Sequence, residues 1–233
     1  MTWHLRPMAA FDIESTGLDL GHDRIVTAAL WRIDPANRTK SVATWLIDPG
    51  IDIPQAATDI HGITTDHARA HGRPASEAVP EIGEALEKAA VDGFPVVIYN
   101  APYDLGLLAA ELQRHQTGMS ISELLRVIDP LVLDKQADTY RRGSRKLADV
   151  CAHHGVRLDA DQAHGAAADA LAAARLAWKL GAVHSELAEM SIDDLHTAQI
   201  GWKAEQAAGF QDYLRRKDPE AVVDGSWPLA ART

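Results

Sequence analysis

Residues 8–17 read Met8-Ala9-Ala10-Phe11-Asp12-Ile13-Glu14-Ser15-Thr16-Gly17: an apolar run, two carboxylates, then a glycine turn. The apolar run predicts a buried strand. Side chains alternate along a strand, so Asp12 and Glu14 project to the same face. Two neighbouring carboxylates repel unless something positive lies between them. A hard divalent cation such as Mg²⁺ or Mn²⁺ fits that place, because it takes oxygen ligands. Taken alone, the pair also fits a solvated strand end.

Working outward, residues 24–34 and 41–48 read as two more strands. Their short links to the first predict an antiparallel meander. A helix is expected over 76–92, capped by Ser76, with Val79, Ile82, Leu86 and Ala89 on one face. Residues 94–99 form an apolar run suited to a buried strand. Pro102 then opens a helix carrying Leu105, Leu108 and Leu112. A further strand is expected over 124–129, short helices over 131–138 and 144–154, and an alanine-rich helix over 165–180. Strands first in a run and then alternating with helices predict an α/β fold, a mixed five-stranded sheet flanked by helices. The composition shifts after Gly181. We therefore divide the chain into a domain over 1–185 and a C-terminal helical extension over 186–233.

Composition narrows the function. The chain has 233 residues and a formal net charge of -10, which argues against a nonspecific binder of long duplex DNA. A single cysteine, Cys151, leaves no internal disulfide framework and no cysteine-based zinc cluster. No apolar run approaches the roughly 20 residues of a membrane span. The first residues lack the layout of a signal peptide, so a cytoplasmic location is expected.

Two further motifs carry acids. Asn100-Ala101-Pro102-Tyr103-Asp104 follows the apolar Val96-Val97-Ile98-Tyr99. It places a carboxylate in the first helical turn, at the end of the sheet where open α/β folds build sites. Helix capping by Asn and the preference for acids at helix N-termini explain the same residues. In His164-Gly165-Ala166-Ala167-Ala168-Asp169, the acid lies on a small, apolar helix surface. A carboxylate there needs a partner, and a metal serves. His164 just precedes it and titrates near neutral pH, which suits a base that takes a proton from water. The plainer reading is one surface histidine among eleven.

The order D-x-E, N-x-x-x-D, H-x-x-x-x-D resembles the DEDD 3′–5′ exonucleases of the His subtype. That group has an RNase H-like fold and includes the proofreading epsilon subunit of bacterial DNA polymerase III. The resemblance covers about residues 8–180. It extends to Asp12-Ile13-Glu14-Ser15-Thr16-Gly17-Leu18, to Asp48-Pro49, to Ile53-Pro54 and to Ala57-Thr58-Asp59-Ile60-His61-Gly62-Ile63-Thr64. Ser15 departs from the pattern, where Thr is commoner.

The resemblance implies a catalytic set of Asp12, Glu14, Asp104, Asp169 and His164. The four carboxylates would hold two divalent ions, Mg²⁺ or Mn²⁺, roughly 3.5–4 Å apart, with Asp12 bridging them. His164 would be the general base, and nucleoside 5′-monophosphates would leave from the 3′ end. Thr16, Gly17, Leu18, His61, Asn100 and Tyr103 would line the substrate groove, with Tyr103 stacking on a base or sugar. The basic stretch 141–146 reads either as a phosphate contact or as a solvated face.

The implied substrate is a single-stranded nucleic acid 3′ end, with DNA favoured over RNA or short oligoribonucleotides. The competing reading is a partner-binding module that keeps the nuclease fold. A hybrid docks a DNA polymerase through the C-terminal extension, where Trp202, Phe210, Tyr213 and Leu214 form an apolar set. A homodimer is a further expectation.

Overall fold

The first strand organises the molecule. In the computed structural model, which describes residues 2–158 and 165–230, β1 spans Met8–Ser15 after a 3₁₀ turn at Trp3–Leu5. It runs antiparallel to β2 (Ile25–Asp34), which runs antiparallel to β3 (Thr39–Asp48). This is the expected meander. Two short helices follow, α1 (Gln55–His61) and α2 (Thr65–His71). Then come β4 (Arg73–Pro74), α3 (Ala75–Val91), β5 (Val96–Val97), α4 (Ala101–Arg114) and β6 (Val127–Ile128). Helices α5 (Pro130–Ala137), α6 (Leu147–His153), α7 (Ala166–Val183), α8 (Ser185–Ala188) and α9 (Ile192–Leu214) complete the described residues. His164 lies outside them.

The sheet is mixed, in the order β4-β3-β2-β1-β5-β6, with β5 and β6 parallel to β1. Among the described residues it has six strands, one more than the five expected. The extra strand is the pair Arg73–Pro74, aligned parallel with Ile47 and Asp48 at the sheet edge. Two residues between helices carry no alternation to read, and proline is tolerated at an edge. Ser76 is not the cap of α3: the helix begins at Ala75 with Pro74 before it and no side-chain cap. The chain leaves β4 directly into the helix, which puts Ser76 inside the first turn.

The two faces of β1 bury different layers, as alternation requires. Ala9, Phe11 and Ile13 join Ile82 and Leu86 of α3 and Leu105 and Leu108 of α4. Met8 and Ala10 pack with Ala170, Ala173, Ala174 and Ala177 of α7. Those alanines let α7 lie close to the sheet. Asp12 and Glu14 continue the Met8–Ala10 face, so the sequence aims both carboxylates at the start of α7.

Glu111, on α4, is fully buried. It pairs with Arg114 and lies 3.9 Å from Arg24, while Arg114 donates to the Gly21 carbonyl at 2.8 Å. The cluster ties the loop after β1 to α4. Removing the central charge leaves two guanidinium groups facing each other. We expect Glu111→Gln to cost about 2–3 kcal/mol, less than a fully buried pair because both arginines reach water. Urea unfolding measures this, and an unchanged midpoint contradicts it.

The C-terminal segment packs on the edge strand. The Val127 N–H donates to His196 Nδ1 at 3.0 Å, and the Gln199 side chain donates to the Val127 carbonyl at 3.0 Å. Polar groups of α9 thus complete the open edge of β6, which unprotected would invite pairing with another chain. Trp227 is buried in the core layer shared with α3 and α4.

Candidate active site

The site grows from the end of β1. Ligand atoms of Asp12, Glu14 and Asp169 all lie within 4.8 Å of one another. Asp12 and Glu14 meet there by strand alternation. Asp169 joins them from the first turn of α7, whose entry is anchored by the Trp31 indole donating to the Ala167 carbonyl at 2.7 Å.

Asp104 approaches from the other side. It is 3% exposed and accepts a hydrogen bond from the Ile13 N–H at 3.0 Å. β5 ends at Val97, so beyond it the Ile13 amide has lost its ladder partner on that side. A carboxylate in the first turn of α4 takes the position instead. This bond fixes Asp104 beside the residue that separates Asp12 from Glu14. Among the described residues, the three-carboxylate group and Asp104 are thus brought together, and His164 cannot be placed.

The electrostatics are those of crowded acids. Burial pushes the Asp12 carboxyl well above the usual range, and Asp104, Glu14 and Asp169 push it further. Burial, aided by Asp169, raises Glu14 to about 7. Asp104 also rises through burial, with the Ile13 amide opposing. A cluster that resists ionisation by itself, yet is built from oxygen donors on fixed elements, suits divalent cations.

The loop residues divide in their roles. Thr16 is buried: its hydroxyl donates to Asp23 at 2.7 Å and accepts from the Arg24 N–H at 3.0 Å. It braces the loop from inside. A Cβ at Gly17 would stand 2.6 Å from Asp23 Oδ2, so a larger residue there would push aside the carboxylate that braces Thr16. Leu18 is 85% exposed. Tyr103 donates to the Gly17 carbonyl at 2.7 Å and bonds Ser15 Oγ, and burial lifts its hydroxyl to about 12. Its hydroxyl therefore holds the loop to α4.

Asn100 is exposed, and its left-handed backbone (φ 63°) turns β5 into α4. His61 ends α1, followed by Gly62 at φ 77°. Its Nδ1 accepts from the Ile63 N–H at 3.1 Å, which leaves the proton on Nε2. That Nε2 is buried and faces the Ser15 carbonyl at the end of β1. Burial pushes the ring toward its neutral form. A cleft of about 470 Å³ opens between Thr27 and Trp45 of the sheet, His61, and residues 165–168. Thr27 is the cross-strand partner of Glu14, so the cleft borders the carboxylates.

Two of the four basic side chains of 141–146 are committed elsewhere. Arg141 pairs with Asp134 at 2.9 Å, and Arg145 and His154 bind the same carboxylate. The phosphate-contact reading fails for Arg141 and Arg145 on this ground. Sequence reasoning missed Asp23, Glu111 and Asp129, which hold the loop and α4 in place. Only Asp129 carried a signal, an acid before proline at a helix start.

Comparisons with known proteins identify the family. The RNase T-type family described as "Exonuclease" matches residues 9–177. A DNA polymerase III of PolC type from Streptococcus thermophilus is 30% identical over 167 residues, covering 71% of this chain and 10% of that protein. A DNA polymerase III subunit epsilon-like protein from Rhodobacter capsulatus is 41% identical over 100 residues, covering 42% of this chain and 13% of its own length. The chain therefore spans about a tenth of the curated relatives it matches. Escherichia coli exonuclease I, solved in complex with a dT13 oligonucleotide, shares the fold at a TM-score of 0.64 and 18% identity, over 78% of this chain and 43% of that one. Its carboxylates, its sheet and the family match over residues 9–177 together place the chain in the exonuclease family, among the DEDD-type 3′–5′ exonucleases, which hydrolyse phosphodiester bonds.

Proposed function

We propose that this protein removes nucleotides from the 3′ end of single-stranded nucleic acid, DNA in preference to RNA, with two divalent ions and His164 as general base. The observation that carries the reading is the convergence of Asp12, Glu14 and Asp169 within 4.8 Å, with Asp104 fixed alongside. Bound there, Mg²⁺ or Mn²⁺ would neutralise the scissile phosphate and both oxygens exchanged at phosphorus. The chain's own residues do the rest. The four carboxylates hold the ions, and His164 takes the proton of the attacking water. His61, its ring oriented by the Ile63 N–H, lines the groove beside the carboxylates. Gly17 and Leu18, held by Tyr103, present an exposed apolar side chain to the terminal base. The preference for DNA follows the DNA polymerase names of the relatives and the dT13 complex.

The test compares matched single-stranded DNA and RNA, with His164→Ala beside the wild type. A base of this kind contributes about 10²–10⁴-fold, so that loss in kcat is expected. Full activity in the variant would remove His164 from the mechanism. Faster RNA cleavage would overturn the substrate preference.

The division at 185/186 belongs to the same proposal, as does polymerase docking through 186–233. Docking is supported by Phe210 and Tyr213, 53% and 55% exposed with stacked rings. Trp202, by contrast, packs inward on the domain. Light scattering of the purified protein tests the homodimer.

A further inference from the structure

The carboxylate of Asp129 is 1% exposed and lies at the head of two helices. Its Oδ1 accepts from the Asn100 and Leu131 N–H groups, both at 3.0 Å. Its Oδ2 accepts from the Ala101 N–H at 3.0 Å and the Trp227 indole N–H at 3.3 Å. Its own N–H donates to Gln199 Oε1 at 2.7 Å, and Gln199 is fully buried. These partners belong either to the start of a helix or to the C-terminal segment. Asn100 and Ala101 begin α4, and Asp104 is three residues on.

We infer that Asp129, clamped by Gln199 and Trp227, is a positioning residue for Asp104, so that the C-terminal segment sets the geometry of the carboxylate site. The inference rests on the reading of Asp104 as a metal ligand. A buried carboxylate accepting four N–H groups is held on both oxygens and cannot rotate without losing two of them. It fixes the entry of α4 against the end of β6. Asp104 bonds across to the Ile13 N–H and back to its own N–H in the first turn of α4, so its aim follows the placement of that turn. The indole of Trp227 lies against the His196 ring, 5.0 Å between centroids, and His196 accepts from Val127. α9, the tail and β6 thereby lock one corner.

An Asn at position 129 must turn its amide nitrogen toward one of these pairs of N–H donors, so α4 shifts at its first turn. The test measures Mn²⁺ affinity by calorimetry in the full-length chain, with oligonucleotide kinetics at saturating Mn²⁺. Asp129→Asn is expected to weaken Mn²⁺ binding at least tenfold while KM for the oligonucleotide stays within twofold. Leu187→Ala, a core change far from the site in sequence, serves as a control that lowers the thermal midpoint and leaves Mn²⁺ affinity alone. Unchanged Mn²⁺ affinity in Asp129→Asn, with only a lowered midpoint, would make the residue structural and overturn the inference. If that variant does not fold, Trp227→Phe decides: a threefold or greater weakening supports the claim, and wild-type affinity overturns it. Mn²⁺ bound by a wild type that cleaves nothing would remove the proposed activity while leaving positioning to stand on affinity. No Mn²⁺ bound by the wild type would overturn both.

Discussion

Asp12→Asn is expected to lower cleavage at least about 1,000-fold, a loss of about 4 kcal/mol in transition-state stabilisation, and to raise the thermal midpoint of the metal-free protein at pH 8. The two effects come from one cause. Asp12 sits at the centre of the acids, raised by burial and by three carboxylate neighbours. Ionised and without a cation, it is a strained charge. The amide has the same shape and no charge, so repulsion among the remaining acids falls. The same change removes a ligand from the middle of the cluster, and with it the hold on the ions. A residue kept only for stability would do the opposite. Differential scanning calorimetry in EDTA checks the sign: a lowered midpoint would show that the Asp12 charge is satisfied within the protein and would contradict this electrostatic account.

The second large effect is on pH. In EDTA, stability should fall as pH rises from about 4.5 to about 7, because the folded state binds the Glu14 proton more tightly than the unfolded chain does. The contribution is fully present below 4.5, the unfolded value, and is lost as pH passes the folded value of about 7. At ~1.4 kcal/mol for each tenfold change in proton affinity, Glu14 accounts for about 3 kcal/mol. Asp12 and Asp104, also raised by burial, extend the loss to higher pH. Asp134 works in the reverse sense. His154 and the two arginines hold it below its usual range against the effect of burial, so its contribution is lost as pH falls through the acid range. The metal-free optimum should therefore lie at or below about pH 4.5, where the Glu14 loss begins. With saturating Mn²⁺ the slope reverses, since ions and protons compete for the same oxygens. Thermal midpoints across pH 5–8, with and without Mn²⁺, measure both curves. Parallel curves would contradict metal binding at these carboxylates.

The parts of the site legible in the sequence were those that depend on short-range geometry. Alternation put Asp12 and Glu14 on one face, and the structure brings their ligand atoms together. Pro102 marked the start of α4, hence the first-turn place of Asp104. The alanines around Asp169 announced a helix that packs closely, and α7 does so on β1. The illegible parts depend on distant partners. Nothing local shows that Asp104 replaces a strand at the Ile13 amide. Nor does it show that Asp129 binds Trp227, 98 positions away. The basic stretch 141–146 read as either a phosphate contact or a solvated face, because Asp134, its buried partner, was one acid among many. α1 and α2, seven residues each, are too short for a helical period to emerge. The strand Arg73–Pro74 is shorter than one alternation.

The most direct measurement is digestion of a 5′-labelled single-stranded DNA by the wild type and by Asp12→Asn, each with Mg²⁺, with Mn²⁺ and with EDTA. The account predicts a ladder shortening stepwise from the 3′ end, release of nucleoside 5′-monophosphates, and no ladder in EDTA or in the variant. An intact strand with Mn²⁺ shown to be bound, or a ladder that survives Asp12→Asn, would contradict it.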